Sequence, residues 1–287
     1  MSRPSRGRVY DEAVTEPHRP PSSPTLDTAP AAVRRRLGTE TLIVLTLSLL
    51  GSSAYAVLSL IDKLSSGTPL GSQSASINQS TAERPWLDVA QQLVGLTVAL
   101  APVALALYLL TLSSRRRGWQ VIGLDARGGR RDTARALLLL AAIGVPGIAF
   151  YLLGRAIGIT SAVVPTPETI AWWSIPLLVL SAVRAGLVEE VIGIGYLYTR
   201  LGELGWRPWT IILSAAVMRG SYHLYQGIGP FLGNVVMGIV FGWCYRRWGR
   251  VMPLVLAHTA IDVIVFLCYP LAVQWWPELL VPEPVGS

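Results

Sequence analysis

Two adjacent carboxylates, Glu189 and Glu190, stand in the middle of an apolar run, residues 170–200, long enough to cross a bilayer. A charge at the centre of a membrane helix costs about 2.5–3.5 kcal/mol by insertion scales, and neighbouring carboxylates also repel each other. Two later apolar runs carry further polar pairs. Arg219 and His223 are four residues apart, and so are His258 and Asp262, a spacing that puts each pair on one face of a helix. His223 and His258 are two of only three histidines in the chain. Hydrolysis of a peptide bond inside a membrane needs a base for water, a donor for the oxyanion and a cavity that holds both. A glutamate can be the base, an imidazole can hold the water or donate to the oxyanion, and Asp262 can orient His258. Glutamate with two histidines can alternatively hold a divalent metal such as Zn and leave a position for water; the set here would be Glu190, His223 and His258.

Each pair alone has a plainer explanation. The glutamates fit a proton relay in a transporter, or simple pairing with Arg184 or Arg219. His223 fits interhelical hydrogen bonding, and His258–Asp262 fits a local i,i+4 pair. Three pairs on three separate spans favour one shared site. Gly186 and Gly193 flank the glutamates and leave room for a close helix or for water. Asn234, Gly238 and Gly242 share a face of the sixth span and are read as packing residues.

The elements that must position these residues are membrane helices. Of 287 residues, 52% are hydrophobic and 14% charged, against about a quarter charged in soluble domains. The apolar residues also fall in long runs. Seven spans are expected, at about 41–61, 86–112, 133–154, 170–200, 208–226, 229–247 and 251–274, giving an all-α polytopic membrane bundle with its site inside. Residues 1–38 read as a disordered basic tail, 39–165 as N-terminal membrane helices, 166–275 as the core that carries the site and 276–287 as a C-terminal tail. Thr166-Pro167-Glu168 reads as a helix start.

The net charge of +7 comes mainly from arginines in the tail and the connections, so it marks membrane orientation rather than nucleic-acid binding. The tail, the loop 113–132, the stretch around Arg200 and Arg207, and Arg246-Arg247-Arg250 all fall on one side, which predicts a cytoplasmic N-terminus and an external C-terminus. Arginine usage, with Lys63 the one lysine, suggests a GC-rich bacterial genome and hence a multi-pass protein of a bacterial plasma membrane. Cys244 and Cys268 lack metal or disulfide spacing and are expected to be small buried hydrophobes.

Glu189-Glu190 followed by Gly195-Tyr196-Leu197, then His223, then His258-Thr-Ala-Ile-Asp262, resembles the CPBP family. These are the CAAX-prenyl-protease type II and bacteriocin-processing intramembrane proteases, also called Abi. The resemblance covers about residues 170–270. It implies a helical membrane fold and endopeptidase activity on a membrane-associated peptide or protein. By that likeness Glu189 activates water with His223, Glu190 supports them, and His258 with Asp262 forms the oxyanion side, with or without a metal. An inactive scaffold or bacteriocin-immunity protein of the same fold is the runner-up, and a proton-coupled transporter comes third. The family's first motif usually reads Glu-Glu-x-x-x-Arg, with Ile194 here at the arginine position. Its second reads Phe-x-x-x-His, with Arg219 here at the phenylalanine position. The two departures are expected to compensate, with Arg219 supplying the missing cation to Glu190. One geometric tension remains. Glu190 and His223 lie about 21–22 Å from the inner ends of their helices at 1.5 Å per residue, whereas His258 is only a turn or two into its own.

Overall fold

In a computed structural model, which describes residues 31–165, 173–276 and 280, seven helical segments follow one another. They are α1 (Ala31–Ser65), α2 (Pro85–Ser113), α3 (Ala126–Ala156), α4 (174–203), α5 (Pro208–Ser221), α6 (Ile228–Trp248) and α7 (Met252–Trp275). Residues 1–30, the Thr166-Pro167-Glu168 helix start, the first residues of the fourth expected span and the acidic residues Glu278 and Glu283 lie outside the described residues.

The seven segments match the seven expected spans in place but not in kind. Among the described residues, α1, α2, α3, α6 and α7 are long and apolar enough to cross a membrane. The other two are not. The α4 segment carries five charged residues, Arg184, Glu189, Glu190, Arg200 and Glu203. The α5 helix has 14 residues, about 21 Å against a hydrocarbon thickness of about 30 Å. The difference follows from where they sit. Residues 190–198 of α4 are all buried, so protein groups rather than lipid meet the charges at its centre. The outer helices turn apolar side chains outward, including Leu93, Val94 and Val98 on α2 and Leu137, Leu138 and Ile148 on α3. Continuous exposed apolar faces of this kind need a bilayer. The protein is a multi-pass membrane helix bundle.

Two further expectations change. The tail was expected to run to residue 38, yet α1 begins at Ala31, because Ala, Arg and Leu favour helix and Arg36 Nε pairs with Glu40 Oε1 one turn on at 2.7 Å. Cys244 is buried as expected, whereas Cys268 is exposed on the outer face of α7. The bundle also carries two short strands, β1 (Ser74–Ile77) and β2 (Ala162–Pro165), paired in parallel. They cap the end of the bundle opposite the Arg-rich loop. Arg155 Nη1 donates to the carbonyls of Gly71 and Thr160, which ties the two connections of this cap to α3.

The depth mismatch at His258 is resolved by the start of α7. Val251 N–H donates to the Ile122 carbonyl at 2.8 Å, and Val251, Leu254 and Ile122 are fully buried. Ile122 in turn packs against Gly195, where an added Cβ would lie 2.9 Å from its Cδ1. The α7 helix therefore starts inside the bundle, level with Gly195, and two turns bring His258 to the glutamates.

Arg250 fixes this start. Its Nε donates to Asp132 at 2.9 Å and its Nη2 to the Asp125 carboxylate and carbonyl at 2.8 and 2.6 Å. The hydrogen bond from Arg250 holds the Asp125 carboxyl below the usual carboxylate range. Since the folded value is depressed, its stabilising contribution is complete above about pH 4, the unfolded value, and is lost as pH falls through the folded one. Arg250→Gln is expected to lower stability by about 1–3 kcal/mol by leaving buried Asp132 short of a donor. Melting in detergent checks this, and the gap to the wild type should narrow below about pH 4.

Candidate active site

The glutamates lie in a π-helical segment, Val188–Tyr196, inside α4. Its i→i+5 hydrogen bonding widens each turn, so neighbouring side chains fan out less than on an α-helix and both carboxylates reach one site. Such segments recur at functional sites. Gly186, just before it, lets α7 approach: an added Cβ would lie 2.6 Å from Thr259 Oγ1 and 3.2 Å from the Val255 carbonyl. Gly186 thus makes room for a helix, while Gly193 faces Leu49. Gly186→Val is expected to push α7 outward and carry His258 off Glu190. The melting temperature in detergent should then fall, by about 1–3 kcal/mol of stability for an overpacked helix contact.

Glu190 is fully buried. Its Oε1 accepts from Arg219 Nη1 and faces His258 Nδ1, each at 2.7 Å. At that distance a proton must lie between the ring nitrogen and the carboxylate, so Nδ1–H donates to Glu190. His258 Nε2 is then turned toward Asp262 Oδ2 at 3.5 Å and Glu189 Oε2 at 4.0 Å. The ring is thus flanked by Glu190 at Nδ1 and, as a second polar contact, by Asp262 at Nε2. Arg219 is also buried, with its guanidinium 5.4 Å from the Phe241 ring centroid and its Nη2 3.4 Å from Glu189 Oε2 and 3.7 Å from Met237 Sδ. One guanidinium therefore bridges both glutamates. Arg184, the other candidate partner, forms no ion pair with either glutamate among the described residues.

His223 is placed differently from the expectation. The α5 helix ends at Ser221, and His223 opens a 3₁₀ turn, Leu224–Gln226, rather than sharing a helix face with Arg219. The helix stops because the chain must reverse within seven residues. Gly227 takes φ +112° and passes so close to the Ile159 carbonyl that an added Cβ would lie 2.7 Å from it. His223 Nε2 faces Glu189 Oε2 at 3.9 Å, and both of its ring nitrogens are buried without a protein hydrogen bond.

Two hydrogen bonds of about 2.8 Å meeting at roughly a right angle span about 4 Å. A water can therefore bridge Glu189 Oε2 to His223 Nε2, and likewise Glu189 Oε2 to His258 Nε2. Beside them, Glu189, Ile194, Arg219 and Tyr222 line a cavity of about 10 Å³, the room one water needs. Ile194 and Arg219 thus face the same space. Tyr222, which the sequence reading passed over, donates to Glu189 Oε2 at 2.8 Å. Its position directly before His223 was the one signal available. Asn234, Gly238 and Gly242 pack as expected, with Gly238 against Ala216 and Gly242 against Tyr198.

The metal set named from the sequence does not fit. Glu190 is committed to Arg219 and His258, His223 faces the other glutamate, and a guanidinium lies 3.1 Å from His258 Nδ1. Among the described residues, no three His, Cys, Asp or Glu side chains are arranged to hold a metal ion.

Residues 171–264 match the family model of the Rce1-like type II CAAX prenyl endopeptidases, in agreement with the CPBP resemblance of the same stretch. This stretch is therefore similar to an Rce1-like domain. It contains α4, α5, α6 and the first half of α7, and with them Glu189, Glu190, Arg219, Tyr222, His223, His258 and Asp262. The α1 segment of the bundle lies outside the matched stretch and still touches it beside the site, where Ser221 Oγ donates to Ser53 Oγ at 2.8 Å. No curated protein and no solved structure matches the chain.

Proposed function

We propose that this protein is an intramembrane endopeptidase acting on a membrane-associated peptide or protein, with Glu189 as the base. The observation that carries the reading is that His223 Nε2 and His258 Nε2 both face Glu189 Oε2, at 3.9 and 4.0 Å, a separation that one water bridges. Glu189 takes a proton from the water held there, and the water oxygen bonds to the scissile carbonyl carbon. The carbonyl π pair moves to oxygen, which meets Nε2–H of His258; the ring acts as an imidazolium, with Glu190 facing Nδ1 and Asp262 beside Nε2. When the tetrahedral species collapses, the C–N bond breaks and the leaving amine takes the proton back from Glu189. Glu190 and Arg219 hold His258 and the base in register. The Rce1-like match supports the peptidase class, and the fit of Arg219 between the glutamates favours an active enzyme over an inert scaffold despite Ile194.

The basic connections support an orientation with the N-terminus in the cytoplasm. Arg200 binds the end of α2 through Ser113 and the Leu109 carbonyl, and Arg250 binds the loop before α3, so these segments share one end of the bundle. The test of activity uses the full chain in nanodiscs with a pool of N-terminally lipidated, internally quenched peptides of randomised sequence. Cleavage by the wild type and none by Glu189→Gln is expected. No cleavage by either would count against the reading.

A further inference from the structure

The closest polar approaches to Glu189 from four side chains all fall on one oxygen. Tyr222 OH donates to Oε2 at 2.8 Å, Arg219 Nη2 lies 3.4 Å from it, and His223 and His258 face it from 3.9 and 4.0 Å. Tyr222 is the closest of the four and itself belongs to the wall of the cavity. It is 9% exposed, so its ring is held by packing, and it sits at the end of α5, where the backbone leaves the helix (φ −80°, ψ 0°). Its ring also lies against the His223 ring, with centroids 5.0 Å apart and planes tilted by 43°. One side chain thus touches both members of the water-holding pair, the carboxylate through its hydroxyl and the imidazole through its ring. The two members come from different elements, a π-helical segment and a 3₁₀ turn, and neither has a protein hydrogen bond to the other. Of the two links between the base and the turn, the hydroxyl is the shorter and the more directional.

We infer that Tyr222 is a positioning residue: its hydroxyl fixes the rotation of the Glu189 carboxylate and its ring fixes His223, so that both address the same water. This inference rests on the peptidase reading for its kinetic consequence but not for its geometric one. An unanchored carboxylate can rotate about its last torsion, which is broad and roughly two-fold, and would spend much of its time with the wrong oxygen toward the histidines. Loss of alignment of this kind lowers the rate of the chemical step without weakening substrate binding.

The test compares Tyr222→Phe, which removes only the hydroxyl, with Tyr222→Leu, which removes the ring as well. With the best-cleaved peptide of the lipidated pool, Tyr222→Phe is expected to lower kcat about 10- to 100-fold at unchanged KM and unchanged melting temperature. Tyr222→Leu should lower kcat further. A rise in KM at unchanged kcat would overturn the inference, because it would make Tyr222 a substrate contact, and unchanged kinetics would overturn it too. A second readout needs no substrate. In isotope-edited infrared spectra of protein carrying labelled glutamate, the carboxyl band absent from Glu189→Gln should shift in Tyr222→Phe. A band that stays in place would refute the hydrogen bond's role even if the wild type cleaved nothing, whereas a shifted band with no cleavage would count against the peptidase reading alone.

Discussion

Arg219→Met is expected to cost the protein about 3–5 kcal/mol, enough to remove most of its folded yield. The guanidinium is buried and bridges two carboxylates, at 2.7 Å from Glu190 and 3.4 Å from Glu189. Without it Glu190, fully buried, would keep a charge with only His258 to offset it. Most of the cost is therefore the stranded anion rather than the lost contact. Adding Glu190→Gln to the same variant should recover part of the stability, since no unpaired charge then remains. A sharper comparison exploits the shared cavity wall. Ile194 and Arg219 line one space, so a guanidinium introduced from position 194 can reach the region that Arg219 now fills. Ile194→Arg alone should overpack the site and add a second cation, and Arg219→Phe alone should strand Glu190. The double variant should be more stable than either single one, which melting and the fraction of monodisperse protein in detergent would measure. A double variant no better than Arg219→Phe would mean that the two positions are not interchangeable sources of the cation.

Glu189→Gln should leave the fold intact and remove catalysis. Glutamine has the same shape and keeps an oxygen to accept from Tyr222, so the network around Oε2 survives. What it cannot do is take a proton from water. General-base catalysis contributes about 10²–10⁴-fold, so kcat should fall by at least that range while melting temperature stays within a degree or two of the wild type. The pairing of lost turnover with preserved stability separates this variant from Arg219→Met, which should lose both. Under a transporter mechanism the same substitution would abolish pH-dependent flux with no peptide cleaved in the wild type.

Much of this site was legible because membrane burial makes polar residues conspicuous. Glu189, Glu190, Arg219 and His258 stood out against apolar neighbours, and burial without water forced them to find each other. The i,i+4 spacing placed His258 beside Asp262, and the missing arginine at position 194 pointed to Arg219 as the partner of Glu190. The departures share a different origin. Whether α4 widens into a π-helix at Val188–Tyr196, or α5 stops at Ser221, depends on which neighbouring helix claims the space; local propensity does not encode it. The depth of His258 depended on Ile122, more than a hundred residues away, accepting the first N–H of its helix. Tyr222 was hidden because a tyrosine in an apolar run needs no explanation until its hydroxyl is seen to have a partner. The seven expected spans each have a helix in place; α4 stands apart because its central charges are met by protein, and α5 because it is short while still turning Trp209, Leu213 and Val217 outward.

The most direct test of Glu189 as the base of an intramembrane endopeptidase is a comparison of peptide termini in membranes. Cells carrying the wild type and cells carrying Glu189→Gln at equal protein levels would be profiled for newly formed ends of membrane-associated peptides and proteins. A set of cleaved termini present in the first and absent from the second is the expected result. Identical termini in both, with the two proteins equally folded, would contradict it.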